Sequence, residues 1–514
     1  MRNLRLSITR YLALVAIVAT TCVSSDGVSA AEQVGPSRQS NDLPKAPIAE
    51  RIEFEQILTA LVQQYLTQKE PLEGQQAMIV PKVWYSDEGD TINIDLGKGF
   101  LPPHYSISLE ERVNEIADIL YYTEKPTEIY RVSIWFDGKD IFDYFPEERG
   151  PTERRVLEVN PQARSRSKRD IGESKVLVAA GHGIYYNSKY KDWRAQRDRT
   201  NGIVEDFITP AFARRLQDYL RDRSNSTVHR ARSTDISAHP DSAQPWSLMA
   251  ARYHIKNVLP EHAEIWNSAG SARATSTGER EQDIRSRPLY ANHLGVDALI
   301  HLHTNAASAS RRGVEVFHQP NSSDSKRLGD LALCYMRESL RTNSAYADFP
   351  VALVSSPKNH GENRLAEMPS IIAEMGFHTN PKDAVAIQSY VFQDLAMRGL
   401  EKAYRMFKEG NGCETFSATY SEVTVVSDST RDAEIVFGGF PRFPVKYTST
   451  VAECPSGILC VSLGGRFATA ETPRTITHSC SSSQPMTMKW NVTFTDADGV
   501  KAEALSTVHC QPKA

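Results

Sequence analysis

The sequence lacks most of the features that would assign a protein to a simple class. Its charge is nearly balanced, with 59 Lys and Arg against 63 Asp and Glu, so no electrostatic surplus indicates a nucleic-acid partner. Only seven cysteines occur among 514 residues, and none of their spacings resembles a zinc finger. Internal repeats are absent, and beyond the first thirty residues no apolar run is long enough to cross a bilayer. Because the chain is too long for one hydrophobic core, we expect roughly two to four domains.

The N-terminal residues have the pattern of a secretory signal. Three arginines precede the apolar run 11–22, and the small residues Val28-Ser29-Ala30 follow it. We therefore predict a signal peptide over residues 1–30, cut before Ala31, which leaves no transmembrane anchor after cleavage. An uncleaved anchor and a lipoprotein signal ending at Cys22 are the alternatives.

The next part of the chain alternates polar segments with one folded unit. Residues 31–47 are polar, small or proline and predict a linker, and residues 48–150 show helical and then strand-like periodicity, which predicts a small α+β domain. Ser108 with Glu111 predicts a capping box at the start of one of its helices. The basic segment 151–173 predicts a flexible connector, with a contact to an anionic surface as the alternative.

Two further domains are predicted after this connector. Over residues 174–409, buried strands alternate with helices, which predicts an α/β domain whose mainly parallel sheet is covered by helices. Its strand candidates are 176–179, 298–303, 314–317 and 370–373. Residues 412–514 contain many short β-rich runs and predict a β-sandwich, immunoglobulin-like or fibronectin-like in architecture.

Five of the cysteines lie in this last part of the chain, where disulfides are expected in an exported protein. The suggested pairs are Cys454 with Cys460 and Cys480 with Cys510, although spacing alone does not fix the connectivity.

Two candidate site residues lie near the start of the α/β domain. Gly181-His182-Gly183 follows the first strand, so the imidazole lies at that strand's end. Glu205 opens an amphipathic helix, which Pro210 should kink or restart. Taken alone, each has a common structural role, because loop histidines are usually solvated and first-turn glutamates usually complement the helix dipole.

Two more candidates lie on later strands of the same domain. His301 and His303 share one face of a strand, so their spacing does not say which of them binds a metal. The alternative to metal binding is that both rings form hydrogen bonds within the sheet. Glu374 ends a buried strand, and a buried carboxylate is costly unless it is paired or functional, so it is the least ordinary of the four positions.

In order and spacing, these segments resemble the zinc-dependent N-acetylmuramoyl-L-alanine amidases, which cleave bacterial peptidoglycan. The resemblance covers residues 174–409 and also includes, in order, Arg232 and Asp235, Arg287 with Ala291-Asn292, Gly295-Val296-Asp297, Asn305, Gly313 to Phe317 and the run from Pro369 to Asn380. It departs from the family pattern at Ala179-Ala180, where Asp-Pro is common, and at Asp206, where lysine is frequent.

The resemblance implies Zn²⁺ bound by His182, Glu205 and His303, with Glu374 as the catalytic glutamate. The implied reaction is hydrolysis of the amide between N-acetylmuramic acid and L-alanine, for cell-wall remodelling or turnover. Peptidoglycan is then the partner, an envelope activator protein is a further candidate partner, and the bacterial periplasm or cell envelope is the location. The alternatives are a zinc peptidase acting on another peptide bond and a catalytically silent wall-binding protein.

Other parts of the sequence raise further expectations. An insertion over residues 236–282 either shapes or covers the substrate cleft, or is a solvated elaboration; some relatives carry an inhibitory helix elsewhere in the chain. The domain over 48–150 weakly resembles germination proteins of the GerM type. His378, just past the strand of Glu374, is close enough in sequence to influence the site.

Overall fold

The computed structural model describes residues 48–513, except for 77, 88, 90, 124–130, 152–172 and 269–276. The predicted signal peptide, the 31–47 linker, most of the basic connector and most of the Ser/Gly/Ala stretch of the insertion lie outside the described residues. Among the residues that are described, no helix is long and apolar enough to cross a membrane.

The first folded unit is a three-stranded sheet against which two helices pack. Its strands β1 and β2 are antiparallel, β2 and β3 are parallel, and a buried apolar cluster joins sheet and helices. The elements are α1 (Ile48–Gln68), β1 (Lys82–Tyr85), β2 (Thr91–Asp95), α2 (Ile107–Tyr122), β3 (Arg131–Trp135) and α3 (Ile141–Tyr144).

The predicted capping box at Ser108 and Glu111 is wrong. Helix α2 starts earlier than predicted, with Ser106 as its N-cap. Ser106 is in an extended conformation, and its hydroxyl accepts a hydrogen bond from the Leu109 N–H at 3.2 Å. Ser108 is therefore already inside the helix. The Glu111 side chain is free of any capping role and forms ion pairs with arginines of the next domain.

A six-stranded sheet organises the second unit. The strand order is β10-β9-β11-β8-β4-β7, and every adjacent pair is parallel except β9 with β11. The strands are β4 (Lys175–Ala180), β7 (Thr227–Arg230), β8 (Ala298–Asn305), β9 (Glu315–His318), β10 (Ser356–Pro357) and β11 (Ser370–Phe377), and a small hairpin is formed by β5 (Tyr185–Asn187) and β6 (Asp192–Arg194). The predicted mainly parallel sheet is confirmed.

Helices cover both faces of this sheet, because alternate residues of its strands point in opposite directions. On β4, Val176 and Val178 join an apolar cluster with α4, α8 and α11, whereas Leu177 and Ala179 join another with α5 and α7. The helices are α4 (Glu205–Ser224), α5 (Ala251–Val258), α6 (Ala263–Trp266), α7 (Gly278–Leu294), α8 (Ser323–Leu340), α9 (Gly361–Arg364), α10 (Pro381–Gln388) and α11 (Tyr390–Glu409).

Helix α4 does not restart at Pro210, since it continues through that residue to Ser224, and a kink at Pro210 stays a prediction. Proline cannot donate to the carbonyl one turn earlier, which here belongs to Asp206. The buried Arg232 guanidinium donates to that carbonyl at 2.8 Å. A side chain therefore replaces the missing helical hydrogen bond.

The C-terminal unit consists of two sheets that enclose a common apolar core. Their orders are β12-β14-β17 and β13-β19-β18-β15-β16. The strands are β12 (Ser417–Tyr420), β13 (Val423–Val426), β14 (Ser429–Gly438), β15 (Val445–Glu453), β16 (Gly464–Phe467), β17 (Thr475–Cys480), β18 (Met486–Thr495) and β19 (Lys501–Gln511). Whether this two-sheet arrangement is immunoglobulin-like stays a prediction.

Three disulfides are formed in the described part of the chain. The pairs Cys454–Cys460 and Cys480–Cys510 agree with the suggested connectivity, and Cys334–Cys413 joins helix α8 to the start of the C-terminal unit.

Candidate metal centre

His182 lies in a tight turn at the end of β4. Its own backbone has a φ of 58°, and that of Gly183 has a φ of 132°, so the turn uses conformations that side chains disfavour. The Gly181 carbonyl accepts hydrogen bonds from the Arg232 guanidinium and the Thr209 hydroxyl, at 3.1 and 2.9 Å. These contacts hold a buried imidazole at the edge of the sheet.

Glu205, the first residue of α4, lies between the two histidine segments. Its Oε2 is 3.3 Å from His182 Nε2, and its Oε1 is 3.0 Å from His303 Nδ1. Oε1 also accepts the backbone N–H of Thr304 at 2.9 Å. The carboxylate is buried and is therefore oriented toward both rings.

His301 and His303, which the sequence could not separate, differ in their contact with Glu205. Only His303 lies against Glu205, whereas His301 Nδ1 is 2.8 Å from Glu362 Oε2. His303 also reaches Glu362 through its other nitrogen, Nε2, at 3.1 Å.

Two groups of donor atoms in the described residues could hold a metal ion. His182, Glu205 and His303 offer one, with atoms within 4.8 Å of one another, and His301, His303 and Glu362 offer the other. All five side chains are buried. The first group includes all three residues that the resemblance implied as ligands.

The charge around these groups favours a cation. Burial opposes ionisation of Glu205, but the neighbouring rings of His182 and His303 hold its pKa well below the usual range. Burial lowers the pKa of His303, but the carboxylates of Glu362 and Glu205 outweigh it and raise that pKa to about 10. The carboxylates therefore stabilise positive charge at this place, as they would that of a divalent cation.

Glu374 lies on β11 directly beside the histidine strand, with its Cα in register with that of His303. The residue is 9% exposed, and its Oε2 has no hydrogen-bond partner in the part of the chain that is described. Burial raises the pKa of Glu374 to about 8; His303 acts against this shift, and Glu205 adds to it. A carboxyl group in such surroundings can both accept and release a proton near neutral pH.

Three residues around the centre were not identified from the sequence. Glu362 lies on the short helix α9, Gln196 lies in the loop before α4, and Asp283 lies on α7. All three contact either a histidine of the centre or a neighbour of one. Arg287 was noted only as part of the family pattern, and its place beside Glu362 and Asp283 depends on tertiary structure.

His378 reaches the centre indirectly. Its Nδ1 is 2.9 Å from the hydroxyl of Thr304, the residue whose backbone N–H contacts Glu205. It is buried, and among the described residues it belongs to neither group of donor atoms.

The first unit also extends to the centre, through Glu111 on α2. This carboxylate is 2.8 Å from Arg197 Nη1 and 2.6 Å from Arg280 Nη2. Burial opposes its ionisation, but Arg280 and Arg197 hold the pKa of Glu111 at about 2. Arg197 in turn donates from Nε to His182 Nε2 at 3.2 Å. The α+β unit therefore contributes to the surroundings of the site.

The insertion over 236–282 is partly a core element. Met249, Ala250 and Ala251 are fully buried, and a Cβ placed on Gly183 would lie 2.6 Å from the Ala250 Cα. Arg232 also donates to the Met249 carbonyl at 3.0 Å. This part of the insertion supports the His182 turn, so the expectation of a solvated elaboration is wrong for it.

Comparison with known proteins relates the segment that contains these residues to a family. Residues 176–403 match the family model described as N-acetylmuramoyl-L-alanine amidase. This segment of the chain belongs to that amidase family. Both groups of donor atoms and Glu374 lie inside the amidase segment.

Several solved amidase structures are similar to the chain. One is the N-acetylmuramoyl-L-alanine amidase from Clostridium difficile 630, with 16% identity over 47% of this chain and 100% of that chain and a TM-score of 0.30. Another is Ami1 from Mycobacterium smegmatis, with 14% identity over 47% and 100% and a TM-score of 0.31. A third is the CwlD amidase from Clostridioides difficile in complex with the GerS lipoprotein, with 16% identity over 46% and 100% and a TM-score of 0.32. No curated protein matches the chain.

Proposed function

We propose that this protein is a zinc-dependent amidase that hydrolyses the bond between N-acetylmuramic acid and the L-alanine of peptidoglycan. One observation carries the proposal: His182, Glu205 and His303 bring their donor atoms within 4.8 Å, and Glu374 lies in register beside His303. Membership of residues 176–403 in the amidase family supports the choice of substrate.

The donor set suits zinc at a catalytic site. Two imidazoles and one carboxylate are a common set of three protein ligands, which leaves a coordination position for water or substrate. His182 Nδ1 is 3.2 Å from the Gln196 side-chain oxygen, so Nε2, which faces Glu205, carries the lone pair that would bind the metal in place of the hydrogen bond from Arg197. When bound, zinc supplies a Lewis acid that activates water and polarises the scissile carbonyl.

The residues of the chain supply the proton transfers. Water adds its oxygen to the amide carbon, and Glu374 accepts the proton that this water loses. Glu374 then gives that proton to the leaving nitrogen as the carbon–nitrogen bond breaks. The products are the lactyl carboxylate of muramic acid and a peptide with a free N-terminal L-alanine. Because Glu374 is buried, the proton is retained between the two steps.

Replacement of the proposed base tests this mechanism. The Glu374→Gln variant keeps the size of the side chain but cannot accept the proton, so we expect turnover to fall by about a hundredfold to ten-thousandfold. Zinc content, measured on the purified full chain by elemental mass spectrometry, should stay at one ion per protein because Glu374 is not among the proposed ligands. Turnover equal to that of the unsubstituted protein would contradict the assignment of Glu374.

Removal of the metal gives a second, independent test. We expect dialysis against a chelator to abolish peptidoglycan cleavage and added zinc to restore it. Cleavage that survives complete loss of metal would contradict the zinc-dependent mechanism, whatever the behaviour of the Glu374→Gln variant.

A further inference from the structure

The non-coordinating nitrogen of each proposed histidine ligand is held by a polar partner. For His182, Gln196 fills this role: its Oε1 is 3.2 Å from His182 Nδ1, and its Nε2 donates to Asp283 Oδ2 at 2.9 Å. Since the glutamine NH₂ group donates to Asp283, the amide oxygen must face His182 and accept a hydrogen bond from Nδ1–H. Arg197 donates to Nε2, which is consistent with a lone pair on that nitrogen.

For His303, the partner is Glu362. His303 Nε2 is 3.1 Å from Glu362 Oε2, and Nδ1 is 3.0 Å from Glu205 Oε1. Nδ1 faces Glu205, which belongs to the same proposed ligand group, so Nδ1 is the nitrogen that would bind the metal. Nε2 then keeps the proton of the neutral ring and donates it to Glu362, because a carboxylate only accepts. The two ligands therefore use different ring nitrogens.

Both arrangements converge on one side chain, Arg287. This guanidinium is fully buried, and it donates from Nη2 to Asp283 Oδ2 at 2.5 Å and from Nη1 to Glu362 Oε1 at 2.8 Å. Asp283 is hydrogen-bonded to Gln196, which in turn contacts His182, whereas Glu362 contacts His303 directly. One planar cation thus neutralises the two buried carboxylates that determine the orientation of both rings.

We propose that Arg287 is a positioning residue that fixes the orientation and tautomer of His182 and His303 together, through Asp283 with Gln196 on one side and Glu362 on the other. The proposal rests on the proposed function, because it takes both histidines as metal ligands. A buried ion pair that served only to stabilise the fold would not need to end on two rings of one metal group. Groups that orient metal-binding histidines commonly change metal affinity when they are replaced.

Metal affinity tests each side of the arrangement separately. We expect Gln196→Met, which removes the acceptor for His182, and Glu362→Leu, which removes the acceptor for His303, each to raise the zinc dissociation constant by about tenfold or more. Glu362→Gln keeps an acceptor oxygen and should weaken zinc binding less than Glu362→Leu. The affinities would be measured on the full chain by competition with a chromophoric chelator.

Glu401→Gln is the matched control. Glu401 is also a fully buried carboxylate, but it accepts the hydroxyl of Ser224 at 2.6 Å and lies 3.5 and 3.8 Å from Arg405 and Arg223. Ser224 is at the far end of helix α4 from Glu205. This variant should leave the zinc dissociation constant unchanged. A loss of affinity as large in the control as in Glu362→Leu would overturn the positioning role.

Because both arrangements contain Arg287, the effects of substitutions within them on zinc affinity should not be additive. Arg287→Lys can hold one carboxylate but not two in a fixed geometry. Adding Glu362→Gln to Arg287→Lys should therefore cost less affinity than Glu362→Gln does alone, because the same arrangement is already disturbed. Strict additivity would overturn the coupling. If Arg287→Lys does not fold, as judged by circular dichroism, the single variants of Gln196 and Glu362 still decide the question.

The choice of ring nitrogens gives a spectroscopic readout of the proposed tautomers. In the cadmium-loaded protein, NMR should show scalar coupling of the metal to His182 Nε2 and His303 Nδ1. Coupling to the opposite nitrogens would overturn the proposal. If the unsubstituted protein binds no metal, the proposed function fails; if it binds and cleaves while all positioning variants retain their affinity, only the present inference fails.

Discussion

His301 and His303 lie on the same face of β8, yet their rings have different neighbours. His303 contacts both Glu205 and Glu362. His301 is buried beside Glu362. Burial lowers the pKa of His301, although Glu362 acts against this shift, so its ring is neutral near pH 7. The two histidines therefore differ in the contact with Glu205, which His303 makes in addition to the contact with Glu362.

This difference predicts unequal effects of alanine substitution. His303→Ala removes a donor atom that both candidate groups share and should abolish zinc binding. His301→Ala removes only a neighbour of Glu362, so we expect it to keep one zinc per protein, measured by elemental mass spectrometry. Loss of zinc in His301→Ala together with retention in His182→Ala would instead identify His301, His303 and Glu362 as the metal group.

At this scale the sequence could single out a residue where a chemical anomaly was local. Glu374 stood out because it is a carboxylate inside an apolar strand, and the structure buries it on the strand beside that of His303. Glu362 gave no such signal, since it lies on a four-residue helix whose position next to β8 depends on the tertiary fold. The same limit applies to Gln196.

At the scale of elements, the turn that carries His182 depends on close contact with the insertion. An alanine at Gly183 would place its Cβ 2.6 Å from the Ala250 Cα, and the local φ of 132° already disfavours a side chain. Because backbone atoms cannot rotate away, we expect Gly183→Ala to destabilise the protein by about 1–3 kcal/mol and to weaken zinc binding.

Gly295→Ala is the matched control for this prediction. Gly295 also has a positive φ, of 60°, but nothing lies within 4 Å of the added Cβ. It should cost about 1 kcal/mol from backbone strain and leave zinc affinity unchanged. Equal zinc affinity in both variants, measured by chelator competition, would show that the insertion does not position the turn.

Strands were easier to predict than the helix of Glu205. Strands β4, β8 and β11 are buried on both faces, so most of their residues are apolar, and this pattern is visible in the local sequence. The break expected at Pro210 does not occur, because Arg232 compensates for the missing hydrogen bond. The rule that proline interrupts a helix therefore fails here because of a contact from a residue that is distant in sequence.

Ionic contacts join the α+β unit to the amidase segment at the scale of the whole molecule. Glu110 pairs with Arg364 at 3.1 Å, Glu111 with Arg197 and Arg280, and Lys358 with Asp118 at 2.9 Å. The sequence did not predict this interface, because charges on the exposed side of an isolated helix ordinarily indicate a solvated face.

The same interface contains a pH-sensitive carboxyl group, Glu281 on α7. It accepts the backbone N–H of Ile107 at 2.5 Å, and burial raises the pKa of Glu281 from 4.5 to about 8. The folded protein thus keeps this proton at pH values where the unfolded chain has lost it. Its contribution to stability is complete below pH 4.5 and is lost as the pH rises toward 8.

Substitution of Glu281 should therefore change the pH dependence of stability. Relative to Glu281→Gln, the unsubstituted protein should lose on the order of 4 kcal/mol of unfolding free energy between about pH 4.5 and pH 8. Urea unfolding of both proteins across this range measures the difference, with the exposed Glu434→Gln as a control that should follow the unsubstituted protein. Parallel stability curves for the unsubstituted protein and Glu281→Gln would contradict the raised pKa.

The central claim is that the full chain is an amidase acting at the muramoyl–alanine bond, and the products of peptidoglycan digestion test it most directly. Mass spectrometry after digestion by the zinc-loaded protein should find glycan strands whose muramic acid carries no peptide, together with intact stem peptides that begin with a free L-alanine. Shortened stem peptides still attached to muramic acid would contradict the claim and identify a peptidase instead, and the absence of any cleavage product would also contradict it.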